Sequence, residues 1–159
     1  MGYNYSEEEK QKIKSILPKE KNKFDDPLIL NILLQQKEQQ ILDFYSEIFN
    51  KHSFLELLIT QALHLELLLK ELILIGASKF TRKEVDDFSF YDAINIAYLE
   101  GLIPDYFAKK YHLFRIKRNL YAHKFFFAKQ LEFKEHIENM GNGCIFIFEV
   151  NKILKEKIK

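Results

Sequence analysis

A single cysteine, Cys144, excludes an internal disulfide framework and fits a reducing compartment, so a cytoplasmic location is expected. Tryptophan is absent, and only five glycines and three prolines are available to make turns. Such a shortage favours long helices over many short strands. Neither sign of charge is in excess: 24 Lys and Arg face 23 Asp and Glu, for a formal net of +1. A nucleic-acid role must therefore rest on a local patch. No apolar run reaches the ~18 residues a membrane span needs, and even Leu65–Ile75 is broken by charges. The opening MGYNYSEEEK has no apolar stretch of the secretory kind. Gly2 and Ser6 meet the loose myristoylation pattern, with nothing basic or greasy beside them to complete an anchor. HExxH, a glycine-rich phosphate loop and GxSxG are all missing. His64-x-Glu66 does not supply the three or four converging ligands of a metal site. Neither a metal nor a cofactor is expected.

What is present reads as one helical domain over residues 1–159, in which 1–25 form a short helical N-terminal extension. Hydrophobic residues make up 47% and charged ones 30%, enough of each for a folded core with a solvated exterior. Ser6 and Glu9 spell a capping box, predicting a helix from Glu7 to about Leu17 that Pro18 stops. Asp26-Pro27 starts the next, expected to reach about Asn50 with Leu30, Leu34, Ile41, Tyr45 and Ile48 inward. Ser53 and Glu56 spell another capping box before FLELLITQALHLELLLKELILI, the most apolar segment of the chain, closed by Gly76. Its polar residues, Glu56, Thr60, His64, Lys70 and Glu71, gather on one arc, so the rest reads as a buried spine.

Thr81 with Glu84 predicts a one-turn helix, and Ser89 caps FYDAINIAYLE, which ends at Gly101. LEFKEHIENM reads as helix, and Gly141-Asn142-Gly143 as a turn. The closing CIFIFEVNKILKEKIK is expected to be a helix with Ile147, Val150, Ile153, Leu154 and Ile158 inward, since CIFIF has no partner strand. The sum is an all-α bundle of five or six main helices.

The segment that organises the rest is PDYFAKKYHLFRIKRNLYAHKFFF, Pro104 to Phe127. One stripe of three- and four-residue spacings is Phe107, Tyr111, Phe114, Arg118, Tyr121 and Phe125; the other is Leu113, Ile116, Leu120, His123 and Phe127. A helix greasy on two sides needs cover on two sides, which suits a symmetric dimer. Each stripe carries one intruder, Arg118 and His123. A guanidinium suits a phosphate, and an imidazole moves protons near neutral pH. Together these are the two groups that metal-free RNA cleavage requires. Five residues are about 500° of helix, or roughly 140° around the axis, so the pair faces two ways unless the helix distorts or two chains contribute. The bland alternative is that Arg118 reaches the bundle edge to pair with a Glu while His123 sits at a helix end.

The stretch FYDAINIAYLEGLIPDYFAKKYHLFRIKRNLYAH, residues 90–123, resembles the HEPN superfamily. The signature of that group is an Arg, commonly followed by Asn, Asp or His, with a His five to seven positions after the Arg. Arg118, Asn119 and His123 fit its short form, and the surrounding text is similar to HEPN-like mannitol repressor proteins. The resemblance implies a homodimeric bundle and, as in many members, a metal-independent endoribonuclease. Arg118 and His123 are then the catalytic pair, with Asn119 the polar neighbour that orients them. Arg115, Lys117, Tyr121 and Lys124 are weaker RNA-contact candidates: the cations as phosphate partners or a merely solvated face, Tyr121 as a base-stacking ring or a core residue. Glu66 either orients Arg118 or simply pairs with Lys70. HEPN toxins controlled by a nucleotidyltransferase carry a Tyr two residues after the His; Phe125 stands there, so that modification has no acceptor at this position. A toxin or antiviral role with an antitoxin or regulatory partner follows only through the family. The rival reading is a non-catalytic regulatory module of the mannitol repressor kind; a structural adaptor comes third. His52, His112 and His136 read as isolated surface residues.

Overall fold

The computed structural model describes residues 2–19, 38–123 and 133–159. Six helices and no strand occur among them: α1 (Glu7–Ile16), α2 (Glu38–Gly76), α3 (Arg82–Asp86), α4 (Phe90–Leu99), α5 (Asp105–His123) and α6 (Phe133–Ile158). Helix α2 is the mast. It packs along α6 and also touches α3, α4 and α5, while α1 closes over α4 and α5.

The short helices begin where their caps are spelled. Ser6 accepts from the Glu9 amide at 3.2 Å, and the Glu9 carboxylate accepts from the Ser6 amide at 2.8 Å. Thr81 with Glu84 and Ser89 with Asp92 repeat the arrangement at α3 and α4. Helix α4 ends on Gly101 at φ +68°, where the Leu102 amide donates to the Ala97 carbonyl (2.8 Å) and the Gly101 amide to Tyr98 (2.9 Å). This left-handed residue turns the chain back toward α5. Gly76 ends α2 without a positive φ; instead the Leu102 side chain lies directly against its Cα, in the space a Cβ would need.

Two expected breaks do not occur. Helix α2 runs through Ser53, because nothing between Asn50 and Ser53 is a glycine or proline and both flanks favour helix. Helix α6 runs through Gly141-Asn142-Gly143 rather than turning. The glycine at 143 serves an approach: a Cβ there would sit 3.0 Å from Phe114 Cζ and 2.8 Å from Gln61 Cδ. Gln61 clamps the same spot, donating to the Met140 carbonyl at 3.0 Å and touching Cys144 Sγ at 3.1 Å. The helix start expected at Asp26-Pro27, and the side chains of Leu30, Leu34, Ile41, Tyr45 and Ile48 expected inward, lie outside the described residues.

The core follows period on α2: Leu58, Ala62, Leu65, Leu69 and Leu72 are all buried. The reading of α2 as apolar spine everywhere outside its polar arc is corrected, since Ile59, Leu63 and Leu67 are exposed and Lys70, assigned to the polar arc, is buried. Of the residues expected inward on α6, Val150 is buried and Ile147, Ile153 and Leu154 are partly so, but Ile158, the last residue of the helix, is 67% exposed. On α5 the stripe of Phe107, Tyr111, Phe114 and Tyr121 joins the core, whereas Leu113 of the other stripe is 51% exposed.

Candidate functional site

Helix α5 carries the candidate site, and its neighbours divide its polar residues between two sides. Toward α4, the Arg115 guanidinium lies 5.1 Å from the Tyr91 ring centre, and that of Arg118, one turn on, 5.9 Å from Phe90. Toward α6, Lys110 and Lys117 line an opening of about 320 Å³ with Leu113, Phe114, Asn142 and Ile145. The basic residues of α5 therefore do not form one stripe. Lys124 lies outside the described residues.

Arg118 and Asn119 are half-buried and His123 is exposed, so neither end of the Arg–His spacing is sealed in the core. Within one chain no hydrogen bond or ring contact joins them, as expected for positions on different sides of a regular helix. Glu66 is committed elsewhere: its carboxylate is 3.0 Å from Lys70 Nζ, which also donates to the Asp86 carbonyl at 3.2 Å. It does not orient Arg118. Tyr121 is 2% exposed, its hydroxyl bonded to His136 Nδ1 and met by Asn139 Nδ2 at 3.5 Å; burial pushes its phenol up to about 12. Its ring is core and has no face to offer a base.

Beneath Arg115 lies a set of residues that the sequence reading placed at the surface or did not single out. His112 is fully buried, not exposed. Its Nε2 is 2.8 Å from Asn95 Oδ1, and its Nδ1 is 3.3 Å from Arg115 Nε. An amide oxygen only accepts and a guanidinium only donates, so the proton belongs on Nε2 and the lone pair on Nδ1 faces Arg115. Burial, reinforced by the Arg115 charge, holds the imidazole down at about 3, so it stays neutral. One turn back on α4, Asp92 accepts from the Tyr5 hydroxyl at 2.7 Å; burial first, then this bond, pushes the Tyr5 phenol up. Asp92 and Asn95, polar residues inside the otherwise apolar DAINIA, were the available signal. Position alone made His112 look isolated, since its partner is 17 residues away. His136 is likewise buried, on Tyr121. His64 is exposed. The side chain of His52 lies outside the described residues.

The two arginines share a further property. Among the described residues no carboxylate pairs with either, although the chain's other arginine, Arg82, is bonded through both terminal nitrogens to Glu71. Burial pushes Arg115 below its usual range, and the charge of Arg118 adds to that. Residues at i, i+3 share one helix face, so these two like charges repel. The two ring faces return about 0.5–1 kcal/mol each. The balance is an electropositive spot short of an anion.

No group of three or more His, Cys, Asp or Glu that could hold a metal ion occurs among the described residues. No helix of the described residues is long and apolar enough to cross a membrane. Comparison with protein-family models, curated proteins and solved structures gave no match.

Proposed function

We propose that this protein is a metal-independent endoribonuclease of the HEPN type, acting as a homodimer whose two copies of α5 pool Arg118 and His123 at one cleft. The observation that carries the reading is the Arg118-Asn119…His123 spacing on α5, with Arg118 half-exposed and without a carboxylate partner and His123 exposed. In the reaction the ribose 2′-OH attacks the adjacent phosphorus and the bond to the 5′-oxygen breaks. The hydroxyl proton leaves to a base, and the departing 5′-oxygen takes one up. The products are a 2′,3′-cyclic phosphate and a 5′-hydroxyl end. His123 transfers a proton, Arg118 neutralises the charge growing on the phosphoryl oxygens, and Asn119 orients them. A toxin or antiviral role in the cytoplasm, restrained by a partner protein, extends this reading.

A second reading, a non-catalytic HEPN regulatory module that binds protein or nucleic acid, draws on the lack of any contact between Arg118 and His123 within the chain. Incubation of the purified protein with mixed RNA and EDTA separates the two. Cleavage lost in both Arg118→Ala and His123→Ala supports the nuclease. Cleavage that survives both substitutions removes the assigned roles, and no cleavage by the parent protein favours the binding module.

A further inference from the structure

We infer that Arg115 and Arg118 form a fork for a backbone phosphate of RNA, with Arg115 the arm held from beneath by His112 and Asn95. The identity of the ligand rests on the ribonuclease reading; the fork itself rests on geometry.

Arg115 is fixed on two sides. Its Nε is spent on His112 Nδ1 at 3.3 Å, and its plane is held near the Tyr91 ring at 5.1 Å. His112 is in turn tied through Nε2 to Asn95 Oδ1 at 2.8 Å. What remains uncommitted is the outer edge of the guanidinium, the two terminal NH₂ groups, which suits a tetrahedral oxyanion. Arg118 stands one turn along the same face on Phe90, also without a carboxylate. Two neighbouring arginines that repel each other and have no counter-charge among the described residues gain most from an anion carrying several acceptor oxygens. Other cations of the described chain are less suited. Lys79 is paired with Glu100, Arg82 with Glu71 and Lys109 with Asp105. Lys110 and Lys117 face α6. Preorganisation favours Arg115 over a lysine as well, because less side-chain freedom is lost on binding.

The test uses the full-length protein and a fluorescent single-stranded 2′-O-methyl RNA, which lacks the nucleophilic hydroxyl and so reports binding alone. Affinity is measured against salt concentration for the parent protein, Arg115→Ala, Arg115→Lys and His123→Ala. The fork predicts that Arg115→Ala weakens binding at least tenfold and reduces the slope of log K against log salt by about one. Arg115→Lys keeps the charge and the slope but loses the bidentate edge, leaving binding several-fold weaker. Should Arg115→Ala fail to fold, the lysine variant carries the test. Parental affinity and slope in the folded variants overturn the fork, as does a parent protein that does not bind the oligonucleotide. The two proposals fail separately on unmodified RNA. Arg115-dependent binding without cleavage keeps the fork and removes the nuclease; His123-dependent cleavage indifferent to Arg115 does the reverse.

Discussion

His112 Nε2 and Asn95 Oδ1 meet at 2.8 Å across the buried interface of α4 and α5, and this bond sets the tautomer that lets Nδ1 receive Arg115. A histidine in this setting is a structural base that never charges at neutral pH. Its consequences are measurable in the stability of the fold.

The unfolded chain protonates His112 near 6.5, whereas the folded protein resists protonation down to about 3. Between these values the unfolded state binds the extra proton, so stability rises with pH across that window and is flat with respect to this group above it. Tyr91 and Asn95 from α4 and Arg115 on its own helix face the ring, and none supplies a negative charge to offset the penalty. The unfolding free energy from urea titrations should fall as pH is lowered from 7 to 4, by at most about 1.4 kcal/mol per pH unit from this site. His112→Gln should flatten the dependence. An unchanged slope would mean that His112 is solvated.

Helix α6 offers a paired test of close approach. At Gly143 an added methyl meets Phe114 and Gln61, so Gly143→Ala is expected to cost about 1–3 kcal/mol of overpacking against about 1 kcal/mol gained in helix propensity. At Gly141 nothing lies within 4 Å, so Gly141→Ala should stabilise by about 0.5–1 kcal/mol. Opposite shifts in melting temperature are the expected result. A turn at 141–143 would not produce them.

Helix α4 is held at both ends by local chemistry. Ser89→Ala removes the acceptor for the Asp92 amide and should cost about 1 kcal/mol. Gly101→Ala forces a side chain into φ +68° and should cost about the same. Thermal melts read both. Their double variant should be close to additive, because the sites lie at opposite ends of the helix.

If two chains share one cleft, subunits can complement. Arg118→Ala and His123→Ala proteins are each expected to lose about a hundredfold or more in RNA cleavage. Mixed and allowed to exchange, they should recover activity above either alone, because the mixed dimer holds one Arg and one His on different chains. Recovery that never appears under demonstrated subunit exchange would place both groups of a working site on the same chain.

The starts of α1, α3 and α4 were legible because a cap is written within four consecutive residues and bonds them to one another. The absence of a break at Ser53 was not legible, since the same Ser-x-x-Glu spelling is compatible with a helix interior when flanking residues carry the helix through. The glycines of α6 misled for a related reason: a glycine marks a turn or a close contact, and only the neighbour tells which. Of the candidate site, the Arg118–His123 spacing was readable along α5. The floor under Arg115 was not, because His112 and Asn95 belong to different helices and the bond between them exists only once those helices pack.

The helical class, the ends of the short helices and the positions of Arg118 and His123 along one helix are written locally in the chain, because they depend on interactions within a few residues. Tertiary structure decided which faces are covered, that His112 and His136 are buried, and that Arg115 and Arg118 stand together without a carboxylate among the described residues. Burial and charge pairing are sums over elements distant in the chain, and no local spacing contains them.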